Sequence, residues 1–245
     1  VVAIMSGKGG VGKSMVTGLM AVLAQKAGLK TAILDADITG PSIPKMFGVT
    51  EKATGDENGI YPAITSTGIR VMSLNLLTAR ETDPVVWRGP IIAGTVKQFW
   101  TDVVWGDVDI MFVDMPPGTG DVALTVLQSI PVNGVVMVST PQPMVSMIVS
   151  KAINMCKQVK VEVLGIIENM SYVVCPDCGK RIEIFQHRNV EDFVRENEVP
   201  LWAELPMMDS ISRIYKDDDF DTETAQQMYA WISPAADQLI EKMGK

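Results

Sequence analysis

The chain has no apolar run approaching the ~20 residues that span a bilayer, and none flanked like a secretory signal. It has only three cysteines, two of them in one Cys-x-x-Cys, which excludes the disulfide framework of a small secreted domain. A reducing cytoplasm is the expected compartment. It lacks a basic excess: 21 Lys and Arg face 29 Asp and Glu, for a net charge of −8. That balance argues against nucleic acid as the main partner, because non-specific binding draws on clustered cations. Repeats, low-complexity tracts and linkers are absent as well. There is no initiator methionine either: the chain opens inside Val1-Val2-Ala3-Ile4-Met5, which predicts missing residues upstream.

What remains is ordinary soluble-protein composition, 47% hydrophobic and 20% charged, over 245 residues. That length suffices for one large core, so a single domain over 1–245 is expected. Short β-branched runs alternate with amphipathic stretches, the pattern of a mostly parallel, doubly wound α/β sheet with helices on both faces. Strands are predicted at Val2–Ser6, Thr31–Asp35, Arg70–Leu74, Ile110–Asp114, Val135–Thr140, Val163–Asn169 and Leu201–Leu205. Helices are predicted at Lys13–Ala27, Ile91–Val104, Val122–Ile130, Val145–Val159, Val190–Glu196 and Glu223–Lys242. The turn-rich segment Glu51–Thr67 reads as a loop or small hairpin. In such a fold, ligands gather at the carboxyl ends of the strands.

Gly7-Lys8-Gly9-Gly10-Val11-Gly12-Lys13-Ser14 matches GxxxxGK[ST] and lies between an apolar strand and a helix, the context that motif requires. Glycines let backbone N–H groups converge on phosphate oxygens, and the helix adds its positive end. ATP with Mg²⁺ is the expected ligand. Lys13 would reach the β- and γ-phosphates, and the Ser14 hydroxyl would ligate the cation. Asp35 and Asp37 end the second strand, where carboxylates can hold a Mg²⁺-bound water or orient an attacking water. Asp114 closes Ile110-Met111-Phe112-Val113 in a Walker-B-like arrangement and would contact Mg²⁺ directly or through water. The segment Met115-Pro116-Pro117-Gly118-Thr119-Gly120 after it could sense the γ-phosphate. Asp121 could join the site or simply cap the next helix.

Cys175-Pro176-Asp177-Cys178-Gly179 forms a metal knuckle within a loop at about 171–181, expected to project from the strand ending at Asn169-Met170. Two thiolates fall short of the four that tetrahedral zinc or a [4Fe–4S] cluster wants. A two-fold axis relating two chains would bring two pairs together. Zinc and iron–sulfur fit that spacing equally, and a redox dithiol is a third option. Cys156 reads as a buried hydrophobe, and His187, the only histidine, as a surface residue.

Lys8 inside the loop gives GKGGVGK, which resembles the deviant Walker ATPases that include MinD, ParA and the nitrogenase iron protein. The resemblance implies a SIMIBI-like P-loop NTPase in which Lys8 crosses a dimer interface to the partner's nucleotide; the plainer reading is a solvated loop lysine. It also implies that Asp37 positions water, with Asp35 behind it, and that Asn169 contacts adenine. The series of Gly7–Ser14, Asp35-Ala36-Asp37-Ile38-Thr39-Gly40-Pro41-Ser42, Trp87-Arg88-Gly89-Pro90, Asp114 to Asp121, Thr140-Pro141-Gln142, Glu168-Asn169-Met170 and Cys175–Gly179 spans most of the chain. In that order it resembles the Mrp-type iron–sulfur cluster carriers, ApbC among the bacterial ones. The resemblance implies a homodimer that binds a labile [4Fe–4S] cluster through Cys175 and Cys178 and hands it to apo-proteins, gated by ATP binding or slow hydrolysis. Zn²⁺ is the alternative occupant.

Two stretches depart from that family. Pro143 to Val149 lacks an Asp often found there, and Lys216-Asp217-Asp218-Asp219-Phe220-Asp221 is unusually acidic, a solvated loop or a dock for a basic partner. A rival reading is spatial regulation on membrane or DNA, as in MinD or ParA. The tail Ala225–Lys245 lacks the cationic excess a membrane anchor needs, and neither version explains the cysteine pair. A second rival is a dimeric ATPase stapled by zinc.

Overall fold

The computed structural model describes residues 1–38, 40–78, 89–142, 145–184, 194, 196–207 and 223–244. A nine-stranded sheet runs through them. Its strands are β1 (Val2–Ser6), β2 (Thr31–Asp35), β5 (Ala63–Ile64), β6 (Arg70–Met72), β7 (Ile110–Asp114), β8 (Gly134–Ser139), β9 (Val163–Val174), β10 (Arg181–Glu183) and β11 (Leu201–Pro206). The remaining two, β3 (Thr54–Asp56) and β4 (Gly59–Tyr61), pair as a separate antiparallel hairpin within the turn-rich segment. The order is β10-β9-β8-β1-β7-β2-β6-β5, with β11 also paired to β9. All pairs from β9 to β6 are parallel, as is β11 with β9; only β10 and β5 run against their neighbours.

Strands buried on both faces should be continuously hydrophobic, and β1, β2, β7 and β8 are buried at every residue. Their side chains alternate between two cores. Val2, Ile4, Ile33, Phe112, Val136 and Val138 face one layer, built from α1 (Lys13–Lys26) and α6 (Glu223–Met243). Ala3, Met5, Leu34, Val113, Val135 and Met137 face the other, which holds α3 (Gly89–Thr101), α4 (Asp121–Ser129) and α5 (Val145–Gln158). Cys156 is buried in this second layer, as expected.

The expected doubly wound, mostly parallel architecture is therefore present. β7 and β8 flank β1, so the chain crosses from one half of the sheet to the other beside the strand that carries the glycine loop. That crossing is where ligands bind in open α/β sheets.

Several local expectations need correction. The sixth strand stops at Met72, and Leu74–Leu76 forms a 3₁₀ turn. A short helix α2 (Ile43–Met46) and the edge strands β5 and β10 carry too few residues for a periodic signal. Strand β9 does not end at Asn169 but continues to Val174, so the cysteines sit at the tip of a β9–β10 hairpin. Asp121 is not the N-cap of α4: Gly120 is, and Asp121 is the exposed first helical residue. The predicted helix Val190–Glu196 falls mostly outside the described residues, as do His187, Trp87-Arg88 and Lys216–Asp221.

β11 packs tightly on β9. A methyl placed on Gly165 would lie 2.3 Å from the ring of Trp202. Gly165→Ala should therefore cost about 1–3 kcal/mol by overpacking. Urea denaturation reads this as a lower midpoint at unchanged slope; an unaltered midpoint would show that β11 gives way freely.

Candidate functional site

The loop after β1 is shaped by what glycine alone allows at three points. Gly10 and Gly12 have φ of +77° and +84°, in the left-handed region that side chains disfavour. A Cβ on Gly12 would fall 2.2 Å from the Asn169 amide nitrogen, and one on Gly7 would fall 2.4 Å from Ile148. Helix α1 then starts at Lys13 with no side-chain cap and no acid in its first turn. Its leading N–H groups and its positive end are thus left for an anion.

Strand pairing sets the carboxylates opposite this loop. Register places Asp114 beside Ile4 on β1 and beside Asp35 on β2. Asp114 is wholly buried and surrounded by donors from α1. Lys13 Nζ lies 2.7 Å from Oδ1, Ser14 Oγ 2.6 Å from Oδ2, and Thr17 Oγ1 2.9 Å from Oδ1. Asp37 stands 3.8 Å from the same ammonium. A buried carboxylate is tolerated only with such compensation.

Asp35 is also fully buried, but it turns to the backbone of its own loop. Its carboxylate accepts from the N–H groups of Asp37 (3.2 Å) and Ile43 (3.4 Å) and from the Ser73 hydroxyl (3.1 Å). Burial, and then the negative charge of Asp114, push its pKa up to about 8, against the pull of Lys13 and Ser73. Asp35 therefore braces the loop that carries Asp37, and burial beside Asp114 makes it the weaker acid, while Asp37 is nearer the open side.

Lys8 Nζ donates to the Gln142 side-chain oxygen, just past the end of β8. Asn169 is buried on β9, and its amide donates to the Val11 carbonyl at 2.9 Å, clamping the loop from below. Its own Oδ1 has no protein partner, so one buried acceptor is left for a ligand donor. The structure therefore brings Gly7–Ser14, Asp35, Asp37, Asp114 and Asn169 to one end of the sheet.

Cys175 and Cys178 lie apart from that cluster, at the hairpin tip. The turn is closed by Cys175 N–H to the Lys180 carbonyl (3.0 Å) and Gly179 N–H to the Cys175 carbonyl (2.9 Å), with Gly179 at φ +69°. N–H groups of Cys178 and Asp177, and then the Cys178 side chain, hold the Cys175 thiol below its usual range, which favours the thiolate that binds metals. At the hairpin's base, Arg181 stacks 4.0 Å over the Tyr172 ring and pairs with Glu204 at 3.0 Å. Burial pushes the Cys156 thiol up to about 11, which suits an inert core residue. Among the described residues no group of three or more His, Cys, Asp or Glu could hold a metal. Cys175 and Cys178 therefore stand as a pair of thiols without a third such side chain beside them among the described residues.

Three residues of the nucleotide end carried no separate expectation. Thr17 had a signal, since it stands four residues after Lys13 on one helix face. Gln142 lay in a quoted motif without a partner, and Ser73 had no signal at all.

Residues 1–243 match the family model of the ParA group described as NUBPL iron-transfer P-loop NTPase. The chain is 46% identical over 215 residues to an iron-sulfur cluster carrier protein from Clostridium perfringens, covering 84% of this chain and 75% of that one. It is 45% identical over 209 residues to an iron-sulfur cluster carrier protein from Methanocaldococcus jannaschii, covering 84% and 72%. A nucleotide-binding protein from Archaeoglobus fulgidus, solved in complex with ADP and with Co found in it, superposes with a TM-score of 0.77 at 42% identity over 87% and 84% of the two chains. The cell-division ATPase MinD of Pyrococcus furiosus shares the fold, with a TM-score of 0.68 at 20% identity over 99% and 98%.

Asp35 gives a prediction. Its folded pKa is raised, so its contribution to stability is complete below the unfolded value of 3.8 and is lost as pH rises toward about 8. The unfolding free energy of the nucleotide-free protein should therefore fall between about pH 5 and about pH 8, by on the order of 1 kcal/mol per pH unit. Asp35→Asn, which mimics the neutral acid, should flatten that slope; equal slopes in urea titrations of both proteins would refute it.

Proposed function

The chain belongs to the iron-transfer P-loop NTPase family, the iron–sulfur cluster carriers, and on that premise we propose that it is an ATP-driven carrier of a labile [4Fe–4S] cluster. The cluster is held between two copies of the chain and passed to apo-proteins in a reducing cytoplasm. One observation carries this reading: a complete phosphate loop and a half-complete thiolate site occur in the same protein.

At the nucleotide end, the N–H groups of Gly7–Gly12 and the start of α1 bind the phosphates, and Lys13 leaves Asp114 to meet the β- and γ-oxygens. Ser14 and Asp114 would hold Mg²⁺ through oxygen, and the ion would supply charge neutralisation on the phosphates. The Asn169 Oδ1, buried without a partner, accepts from the adenine amino group. Asp37 orients the water whose oxygen bonds to the γ-phosphorus as the β–γ bridge breaks, and Asp35 holds the loop behind it. Lys8 exchanges Gln142 for the nucleotide of the second chain.

At the cargo end, Cys175 and Cys178 of each chain give two thiolates, so the pair of chains supplies four. A hairpin tip with N–H groups aimed at sulfur suits a site that must release its cargo as well as bind it. Nothing in this reading calls for nucleic acid or membrane, and among the described residues no helix is long and apolar enough to cross a bilayer.

Anaerobic reconstitution with iron and sulfide tests the carrier. The expected result is one cluster per two chains, broad absorption in the visible blue, and loss of both in the Cys175→Ala/Cys178→Ala double variant. Stoichiometric zinc that iron cannot displace would instead make the site a structural staple. For the nucleotide, Lys13→Ala should weaken ATP binding by about 10- to 100-fold, the worth of a charge-assisted contact, whereas Lys8→Ala should bind ATP normally and lose turnover.

A further inference from the structure

We infer that Thr17 is the positioning residue that keeps the Asp114 carboxylate aimed once nucleotide has drawn the Lys13 ammonium away. The inference rests on reading Gly7–Ser14 and Asp114 as an ATP·Mg²⁺ site.

Among the described residues Asp114 has three side-chain donors, and all come from the start of α1. Lys13 and Thr17 share Oδ1, at 2.7 and 2.9 Å, while Ser14 holds Oδ2 at 2.6 Å. A bound nucleotide claims Lys13 for the phosphates, while Ser14 would meet the cation through an oxygen lone pair and keep its proton on Oδ2. Departure of the ammonium would leave Oδ1 of a wholly buried carboxylate with one donor among the described residues. That donor is Thr17, itself wholly buried and one helical turn beyond the loop, too deep to follow the phosphates.

The hydroxyl carries one hydrogen and has two acceptors in range. The second is the Lys13 carbonyl at 3.0 Å, the ordinary back-bond of a helical threonine. While the Lys13 ammonium sits on Oδ1, the carboxylate is satisfied and the two choices are nearly balanced. When the ammonium leaves, a bond to an ionised acceptor outweighs one to a neutral carbonyl by roughly twofold in strength, and the proton goes to Asp114. With Oδ1 fixed, the rotation of the carboxyl group is fixed, and Oδ2 stays with Ser14, turned toward the cation position. A carboxylate free to rotate would meet the cation's water shell only part of the time.

The consequence is selective. Thr17 should matter for the tightening that Mg²⁺ gives to nucleotide binding, and not for the phosphate contacts made by the loop itself. Titration of ADP with and without Mg²⁺ into the full chain, followed by calorimetry, separates the two. Thr17→Val, which keeps the shape and removes the hydroxyl, should raise the Mg²⁺ concentration for half-maximal tightening by about 10-fold, the worth of one hydrogen bond to a charged group. Mg²⁺-free ADP affinity should be retained, and Thr17→Ser should restore the Mg²⁺ response. Thr17→Ala carries the same expectation and introduces no added bulk if the valine methyl is poorly accepted beside the carboxylate. Wild-type Mg²⁺ dependence in Val and Ala variants overturns the inference, and so does a loss of Mg²⁺-free affinity that Ser fails to rescue. A wild-type chain that binds no ADP with or without Mg²⁺ removes the nucleotide reading itself, and the inference with it.

Discussion

The carboxylate of Asp114, buried at the end of β7 and held by Lys13, Ser14 and Thr17, is the contact on which the nucleotide end of the molecule depends. Parallel pairing makes it inevitable. β1 and β7 are neighbours in register, so the loop leaving β1 must pass over the end of β7, and its helix must turn back above the same carboxylate. An isolated charge in that place would be prohibitively costly, and the ammonium offsets it only because hydroxyls complete the shell. The same pairing puts Asp35 next door on β2, two acids sharing one lysine. Asp35 meets the conflict with a raised pKa and with hydrogen bonds from the backbone. Proximity alone would have grouped it with Asp37; burial and hydrogen bonding separate the two into a brace and a more open carboxylate.

How much of this was readable beforehand depends on how local the signal is. The glycine loop announces itself because its conformation needs glycine at fixed places, as Gly10 and Gly12 bear out with positive φ. The central strands announce themselves because both faces are buried and almost every residue is apolar. Edge elements do not. β5 and β10 have two and three residues, and their pairing is decided by the strands they join. Strand β9 ran five residues past its expected end because Ser171 and Asn169 look like turn formers, yet neighbouring strands satisfy the backbone there: Tyr172 pairs with Pro206 on one edge and Glu183 on the other. Side-chain partners were the least accessible. Nothing in a linear string says that Ser73 would reach Asp35 or that Gln142 would receive Lys8, since those contacts come from strands and loops far apart in sequence.

The extension of β9 changes how the two ends of the site relate. Asn169, which grips the glycine loop from β9, and Cys175, the first residue after that strand, lie six positions apart, a reach of at most roughly 20 Å. The strand between them is not uniform. Met170 takes φ +55°, a left-handed value that an unbranched side chain adopts only under constraint, and the pairing with β11 shifts register on either side of Glu204. Beyond that point the backbone is regular again, and the hairpin is stiffened at its base by Arg181, Tyr172, Glu204 and Ser171. Had the cysteines hung from a loose loop after Asn169, thiol geometry would have been independent of the glycine loop. At the tip of a hairpin whose first strand is bonded to Val11, they are instead joined to the glycine loop by a short run of paired backbone.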